Sequence, residues 1–261
     1  MKRTAIQPQL DSFPAVFHPL LRNTPVFDSS CSKDARVFFL EAEGGLYLKS
    51  APRGSLQQEA AMDKYFHSFG MGPEVLEYIS CDRDWLLIRA VPGEDCTHKE
   101  YLSEPKRLAE TMAQMLWQLH HQDHSGCPVP DHTARYISRA RDNFAAGCYD
   151  SSLFPDNWGY TSAEEAWTVV ENNAKYLKTD TLLHGDYCLP NIMLDNWKPS
   201  GFIDVGGGGV GDKHIDLFWG AWTLNFNLKT DIWSPRFLDA YGRQNFEPEM
   251  LRVVAAFEVF G

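Results

Sequence analysis

The stretch Leu183-His184-Gly185-Asp186-Tyr187-Cys188-Leu189-Pro190-Asn191-Ile192-Met193-Leu194 constrains this chain more than any other. Asp186 stands five residues before Asn191, and a second acid, Asp204, follows after a turn. Short apolar runs, Leu182–Leu183, Ile192–Leu194 and Phe202–Val205, flank these polar residues. Turns separate these runs, and the last of them reads as part of a strand, Gly201–Val205. Two oxygen-bearing side chains thus stand in one loop, and a third stands at a strand end.

The chain around these residues divides in composition. Val37–Leu40 and Leu46–Lys49 are β-rich runs about Glu43-Gly44-Gly45 and predict a hairpin. Residues 56–69 predict a helix, and Val75–Ile79 and Trp85–Ile88 predict two further strands. Val91-Pro92-Gly93 breaks the pattern. Beyond it Leu108, Met112, Met115, Leu116 and Leu119 recur at helical spacing, with Ser103 as the expected cap. Helices are expected again over 133–146, 163–177, 215–226, 235–241 and 248–260. Residues 1–25, with four prolines, predict only an arm or a short helix. The class is α+β.

Transfer of a phosphoryl group needs a carboxylate beside the attacking hydroxyl and oxygen ligands for the magnesium that bridges the phosphates. Magnesium takes a few hard oxygens and keeps its waters, so one Asn and one Asp suffice. The pattern offers Asp186 as base and Asn191 with Asp204 as metal ligands. Lys49, on a strand, can reach nucleotide phosphates, and Glu59, on the next helix, can orient it.

These segments together resemble the aminoglycoside 3'-phosphotransferases, antibiotic kinases of the protein-kinase-like fold. Ser30-Cys31-Ser32 falls at the family's phosphate-covering loop, and Leu46-Tyr47-Leu48-Lys49 resembles its lysine strand. Gly201-Phe202-Ile203-Asp204 and Gly209-Val210-Gly211-Asp212 follow the catalytic loop as in the family, and Phe257-Glu258-Val259-Phe260 resembles its end. The resemblance spans about residues 28–261. It implies a bilobal fold: a small β-rich nucleotide lobe over 1–90, a hinge over 91–95 and a larger helical lobe over 96–261 carrying the catalytic loop and the substrate site. It implies ATP and Mg2+ as cofactors, with Ser30, Cys31 and Ser32 over the phosphates and the backbones of Arg89 and Val91 on the adenine. Asp156-Asn157-Trp158 resembles an acidic substrate loop, and Glu258 matches a carboxylate that holds substrate amines.

Charge agrees with such a substrate. Residues 1–91 carry 10 basic and 11 acidic side chains, whereas residues 92–261 carry 14 and 24. A net charge of −11 repels phosphate backbones, which argues against nucleic acid, and suits a cationic ligand. No stretch of 18 apolar residues would span a membrane. Met1-Lys2-Arg3-Thr4 does not open a signal peptide, and six scattered cysteines without a CxxC pair fit a reducing compartment. A cytoplasmic protein is expected.

Two patterns compete for attention. Gly206, Gly208 and Gly211 spell GxGxxG, but a dinucleotide fold needs further parallel strands, and the 50 residues after Gly211 read as helix. His120 and His124 lie four apart at a helix end, where capping accounts for them better than metal. Asp216 resembles a family position that braces the catalytic loop, and the aromatic residues near 218–237 are expected to fill the core.

The chain departs from the family at three points. Gly207 stands where the family usually has Arg, no acid falls within Asn225–Leu228 where a pair is usual, and Gly261 follows the closing Phe260. The expected activity is transfer of the γ-phosphate of ATP to an aminoglycoside hydroxyl, most simply the 3'-hydroxyl. The same chemistry on another antibiotic or a small amino alcohol is the alternative. A pseudokinase is disfavoured because Lys49, Glu59, Asp186, Asn191 and Asp204 are all present.

Overall fold

The computed structural model describes residues 3–30, 35–149 and 159–261. The chain forms two compact units: Met1–Glu94 with Met193–Gly206, and Asp95–Ile192 with Gly207–Gly261. The first is built on a sheet and the second on helices, the α+β class expected.

In the first unit β1 (Thr4–Ile6), β2 (Val26–Asp28), β3 (Arg36–Leu40), β4 (Leu46–Pro52), β5 (Val75–Ser80) and β6 (Arg83–Arg89) form one sheet in the order β1-β2-β3-β4-β6-β5. Every neighbouring pair is antiparallel. The amino-terminal segment holds the short helix expected and, ahead of it, a strand that was not. Thr4–Ile6 adds an edge strand, followed by the short helix α1 (His18–Arg22). The run is too brief and too broken by proline to show a period, yet Phe13, Phe17 and Leu21 bury against Trp85 and Leu48. Leu40, Leu48 and Leu86 are wholly buried, each contributing about 1.5–3 kcal/mol relative to exposure. Helix α2 (Gln57–Ser68) follows β4.

The chain passes through β7 (Glu94–Asp95) into the second unit. There α3 (Lys99–Leu102), α4 (Pro105–His120), α5 (His132–Ala146) and α6 (Ala163–Asn173) precede β8 (Thr181–Leu183). Ser103 does not cap α4 as expected. Its hydroxyl donates to Glu100 O at 2.7 Å and closes α3, while Pro105 opens α4, where a missing N–H costs nothing. The five periodic residues of α4 are all buried.

The hairpin of β9 (Ile192–Asp195) and β10 (Lys198–Phe202) turns through Asn196 and Trp197, both at positive φ. Two such residues make the turn whose twist matches the flanking strands. After it β11 (Gly209–Gly211) pairs antiparallel with β8, and α7 (His214–Leu228), α8 (Trp233–Tyr241) and α9 (Pro248–Glu258) complete the second unit. Gly206 thus lies in a short 3-10 turn, Val205–Gly207, and Gly211 in β11, while the α-helix that follows opens only at His214.

Candidate active site

In the first unit β4 carries Lys49 and the first turn of α2 carries Glu59. The Lys49 ammonium donates to Glu59 Oε1 at 2.6 Å and also to Asp204 Oδ1. Lys49 and Glu59 are largely buried, whereas Asp204 is half exposed. Burial alone would favour a neutral lysine, but the negative charges of Asp204 and Glu59 outweigh it and raise the ammonium well above its usual range. Lys49 is therefore a fixed cation.

Asp204 has φ of 57°, a left-handed backbone that a residue with a side chain seldom adopts. The chain after it is drawn against α2: Gln58 Nε2 donates to Gly206 O at 2.7 Å. A Cβ on Gly206 would stand 3.0 Å from Glu59 Cβ, so glycine allows this approach.

One turn beyond Glu59, Asp63 is fully buried, and neither carboxylate oxygen has a hydrogen-bond partner. Burial, reinforced by Glu59 and opposed by Lys49, pushes its carboxyl up to about 8. Asp63 carries no motif that marks it in the sequence. The one signal is its i+4 spacing from Glu59 on one helix face.

Ser30 N–H donates to Asp28 Oδ1 at 2.9 Å, and Ser30 Oγ accepts from Val37 N–H at 3.0 Å, which closes the end of β2 on β3. Cys31 and Ser32 lie outside the described residues. Arg89 N–H donates to Glu74 O at 2.9 Å, and its side chain pairs with Glu74 at 2.8 Å. Val91 is partly buried, in the segment facing Gly201.

In the second unit the loop after β8 holds Asp186 and Asn191. Asn191 Nδ2 donates to Asp186 O at 3.0 Å and to Asp186 Oδ2 at 2.9 Å, and Asn191 is buried while Asp186 is exposed. The amide is locked with its Nδ2 toward Asp186, which leaves its Oδ1 as the remaining acceptor. Cys188 also bonds the Asp186 carboxylate, and burial with the nearby charge of Asp186 keeps it a thiol.

The loop is braced from α7. Asp216 accepts from His184 N–H and Gly185 N–H, both at 2.8 Å. Its own burial would raise its pKa, but the bonds from His120 and the loop amides outweigh this and hold it below the usual carboxylate range. Thr223 Oγ1, two turns on, accepts from Leu189 N–H at 3.1 Å. Gly185 has φ of 86°, and a Cβ there would stand 2.1 Å from Gly207 O, so the loop requires glycine at this place.

His120 does not cap α4. It is buried, with Nε2 3.2 Å from Asp216 Oδ2 and Nδ1 2.8 Å from the Tyr241 hydroxyl. Among the described residues no group of three or more His, Cys, Asp or Glu side chains could hold a metal. A magnesium ion held by one Asp, one Asn and substrate phosphates is not such a group. Each donor by itself is of the kind magnesium takes: Asp204 presents an exposed carboxylate and Asn191 an amide oxygen left over from its lock.

Glu258, at the end of α9, is partly buried and accepts from the Tyr136 hydroxyl at 2.6 Å and from the Trp219 side chain. Burial pushes its carboxyl up to about 7 against those bonds, with the charge of Asp186 adding to the rise. Asp156 and Asn157 lie outside the described residues. Of the aromatic residues expected in the core, Phe237 is fully buried, but Phe226 is 52% exposed. Phe218, Trp219 and Trp222 are partly buried and pack against the core of the second unit, as expected.

A fixed lysine held by a helix glutamate, with an Asp-x4-Asn loop braced by a buried aspartate, defines a phosphoryl-transfer protein of the kinase type. The chain belongs to the phosphotransferase enzyme family, whose model matches residues 30–257. It is 45% identical over 254 residues to a probable aminoglycoside 3'-phosphotransferase of Lactococcus lactis, covering 97% of this chain and 96% of that one. A crystal structure of an aminoglycoside-3'-phosphotransferase of type VIII superposes with a TM-score of 0.70 at 25% identity, covering 90% of this chain and 91% of its own. An aminoglycoside phosphotransferase of Streptomyces rimosus, solved with ADP and streptomycin, shares the fold with a TM-score of 0.69 at 24% identity, covering 86% and 90%.

Proposed function

We propose that this phosphotransferase moves the γ-phosphate of ATP to a hydroxyl of an aminoglycoside, at the 3' position. The observation that carries the reading is Lys49, buried and bonded at once to Glu59 and Asp204. A lysine so held keeps its charge and its place for the phosphates of a nucleotide. The 45% identical relative supports the acceptor class.

In this reading the first unit takes the nucleotide and the second the acceptor. Glu59 orients Lys49 toward nucleotide phosphate oxygens. Asn191 fixes Asp186, whose carboxylate takes the proton of the acceptor hydroxyl. The acceptor oxygen forms its bond to the γ-phosphorus as the bond to the bridging oxygen breaks, and ADP leaves. Asp216 holds the loop amides, and through them Asp186, in place. Asn191 Oδ1 and the Asp204 carboxylate would hold Mg2+, which when bound offsets phosphate charge. Glu258, with Asp156 and Asn157 by resemblance, would meet substrate amines. Ser30, Cys31 and Ser32 would cover the phosphates, and the backbones of Arg89 and Val91 would meet the adenine. ATP use goes with a cytoplasmic location. No helix among the described residues is long and apolar enough to cross a membrane.

The test is ADP release with ATP and Mg2+ across a panel of aminoglycosides, with phosphorus NMR of the product to place the phosphate. Release that depends on the acceptor and stops on chelation of the metal is expected. Release without any acceptor requirement, or on no aminoglycoside of the panel, overturns the reading. The acid-free stretch Asn225–Leu228 favours one second reading, the same transfer to a less highly charged amino alcohol.

A further inference from the structure

Helix α7 does more than brace the catalytic loop. Its two loop contacts, Asp216 and Thr223, are seven residues apart and so lie on nearly the same face. Trp219, Trp222 and Phe226 fall on the adjoining flank, roughly 60–120° around the helix. Their rings form a continuous row. Trp219 and Trp222 meet edge to face with centroids 5.3 Å apart. Trp222 and Phe226 stack at 4.9 Å with planes 13° apart.

The two ends of the row differ. At the inner end Trp219 donates to Glu258, a carboxylate that feels the charge of Asp186. At the outer end the Lys229 ammonium lies 4.3 Å from the centroid of the Phe226 ring. The outer ring therefore already holds a cation, supplied by the chain itself. The faces of aromatic rings attract ammonium groups, tryptophan most strongly.

We propose that the Trp222–Phe226 stack is a cation–π subsite for an ammonium-bearing sugar ring of the acceptor, with Lys229 as the internal occupant that the acceptor displaces. The proposal rests on the reading of the acceptor as a polyamine sugar. It gives an ammonium group a partner on the stretch 217–229, which carries no acidic residue. Glu258, bonded to Trp219, supplies the carboxylate end of the same row.

The test is binding of kanamycin to the full chain by calorimetry without nucleotide, followed by turnover with ATP. Trp222→Leu should raise Kd roughly 3–30-fold, and Trp222→Phe should restore it to within about 3-fold of wild type. Phe226→Leu, at an exposed position, should also weaken binding. Lys229→Gln should tighten it, because a competitor is removed. Trp222→Leu and Phe226→Leu that both bind kanamycin as wild type does overturn the subsite, whatever the turnover. Binding that follows the expected order without phosphorylation supports the subsite and overturns the proposed reaction. Wild-type protein that gives neither heat nor turnover with kanamycin overturns both.

Discussion

Replacing Asp63 by Asn should stabilise the protein increasingly as pH rises. Asp63 is fully buried, has no hydrogen-bond partner and faces Glu59, Asp204 and Lys49. Its carboxyl is raised from 3.8 to about 8. An acid with a raised folded pKa binds a proton more tightly when folded. Its contribution to stability is full below the unfolded pKa, near 4, and is lost as pH climbs toward 8. Each pKa unit corresponds to about 1.4 kcal/mol, so at pH 7 the wild type forgoes up to about 4 kcal/mol relative to acid solution. Asparagine occupies the same volume and does not titrate. The gap between Asp63→Asn and wild type should therefore widen by about 1 kcal/mol per pH unit from pH 5 to 8 and flatten above. Thermal melts at unit pH steps would read it as about 2–4 °C per kcal/mol. A gap independent of pH, or one that narrows as pH rises, would show that Asp63 is not held protonated.

Three further outcomes follow from the site. Asp186→Ala should lower kcat by about 10²–10⁴ with little change in ATP binding, measured by ADP release and by nucleotide titration; near-normal turnover removes Asp186 from the mechanism. Asp204→Asn should raise the Mg2+ concentration needed for half-maximal rate, and an unchanged metal profile would count against Asp204 as a ligand. Glu258 gains its charge as pH rises through about 7. The KM for an aminoglycoside should fall across that interval in the wild type, and the Glu258→Gln variant should lose that part of the fall.

The pairing of Asp186 with Asn191 was legible in the sequence because it is local. Asp186 and Asn191 share one loop, and the lock between them spans five residues. Lys49, Glu59 and Asp204 were legible by type and spacing, although 155 residues separate Lys49 from its Asp204 partner. What escaped depended on burial. Asp63 looks like any polar helix residue until its surroundings are known. His120 reads as a helix-end cation, yet its bonds go to Asp216 and Tyr241, which lie 96 and 121 residues away. The strand Thr4–Ile6 is set by its partner Val26–Asp28 rather than by any period of its own.

Salt separates the two means by which the acceptor would be held. Carboxylate–ammonium pairs at an exposed surface are screened together, because the Debye length falls from about 10 Å at 0.1 M salt to about 3 Å at 1 M. The segment 92–261, with 24 acidic and 14 basic residues, adds a long-range pull that the same salt removes. An ammonium lying on an aromatic face is held at short range, with part of its hydration already removed, so salt weakens it less. KM for an aminoglycoside should therefore rise steeply with salt at first and then level off above about 0.5 M, while KM for ATP follows its own course. Trp222→Leu should remove the plateau and leave the steep part, whereas Glu258→Gln should flatten the steep part and leave the plateau. A salt profile that Trp222→Leu leaves unchanged would mean that charge alone holds the acceptor and that the aromatic row serves packing.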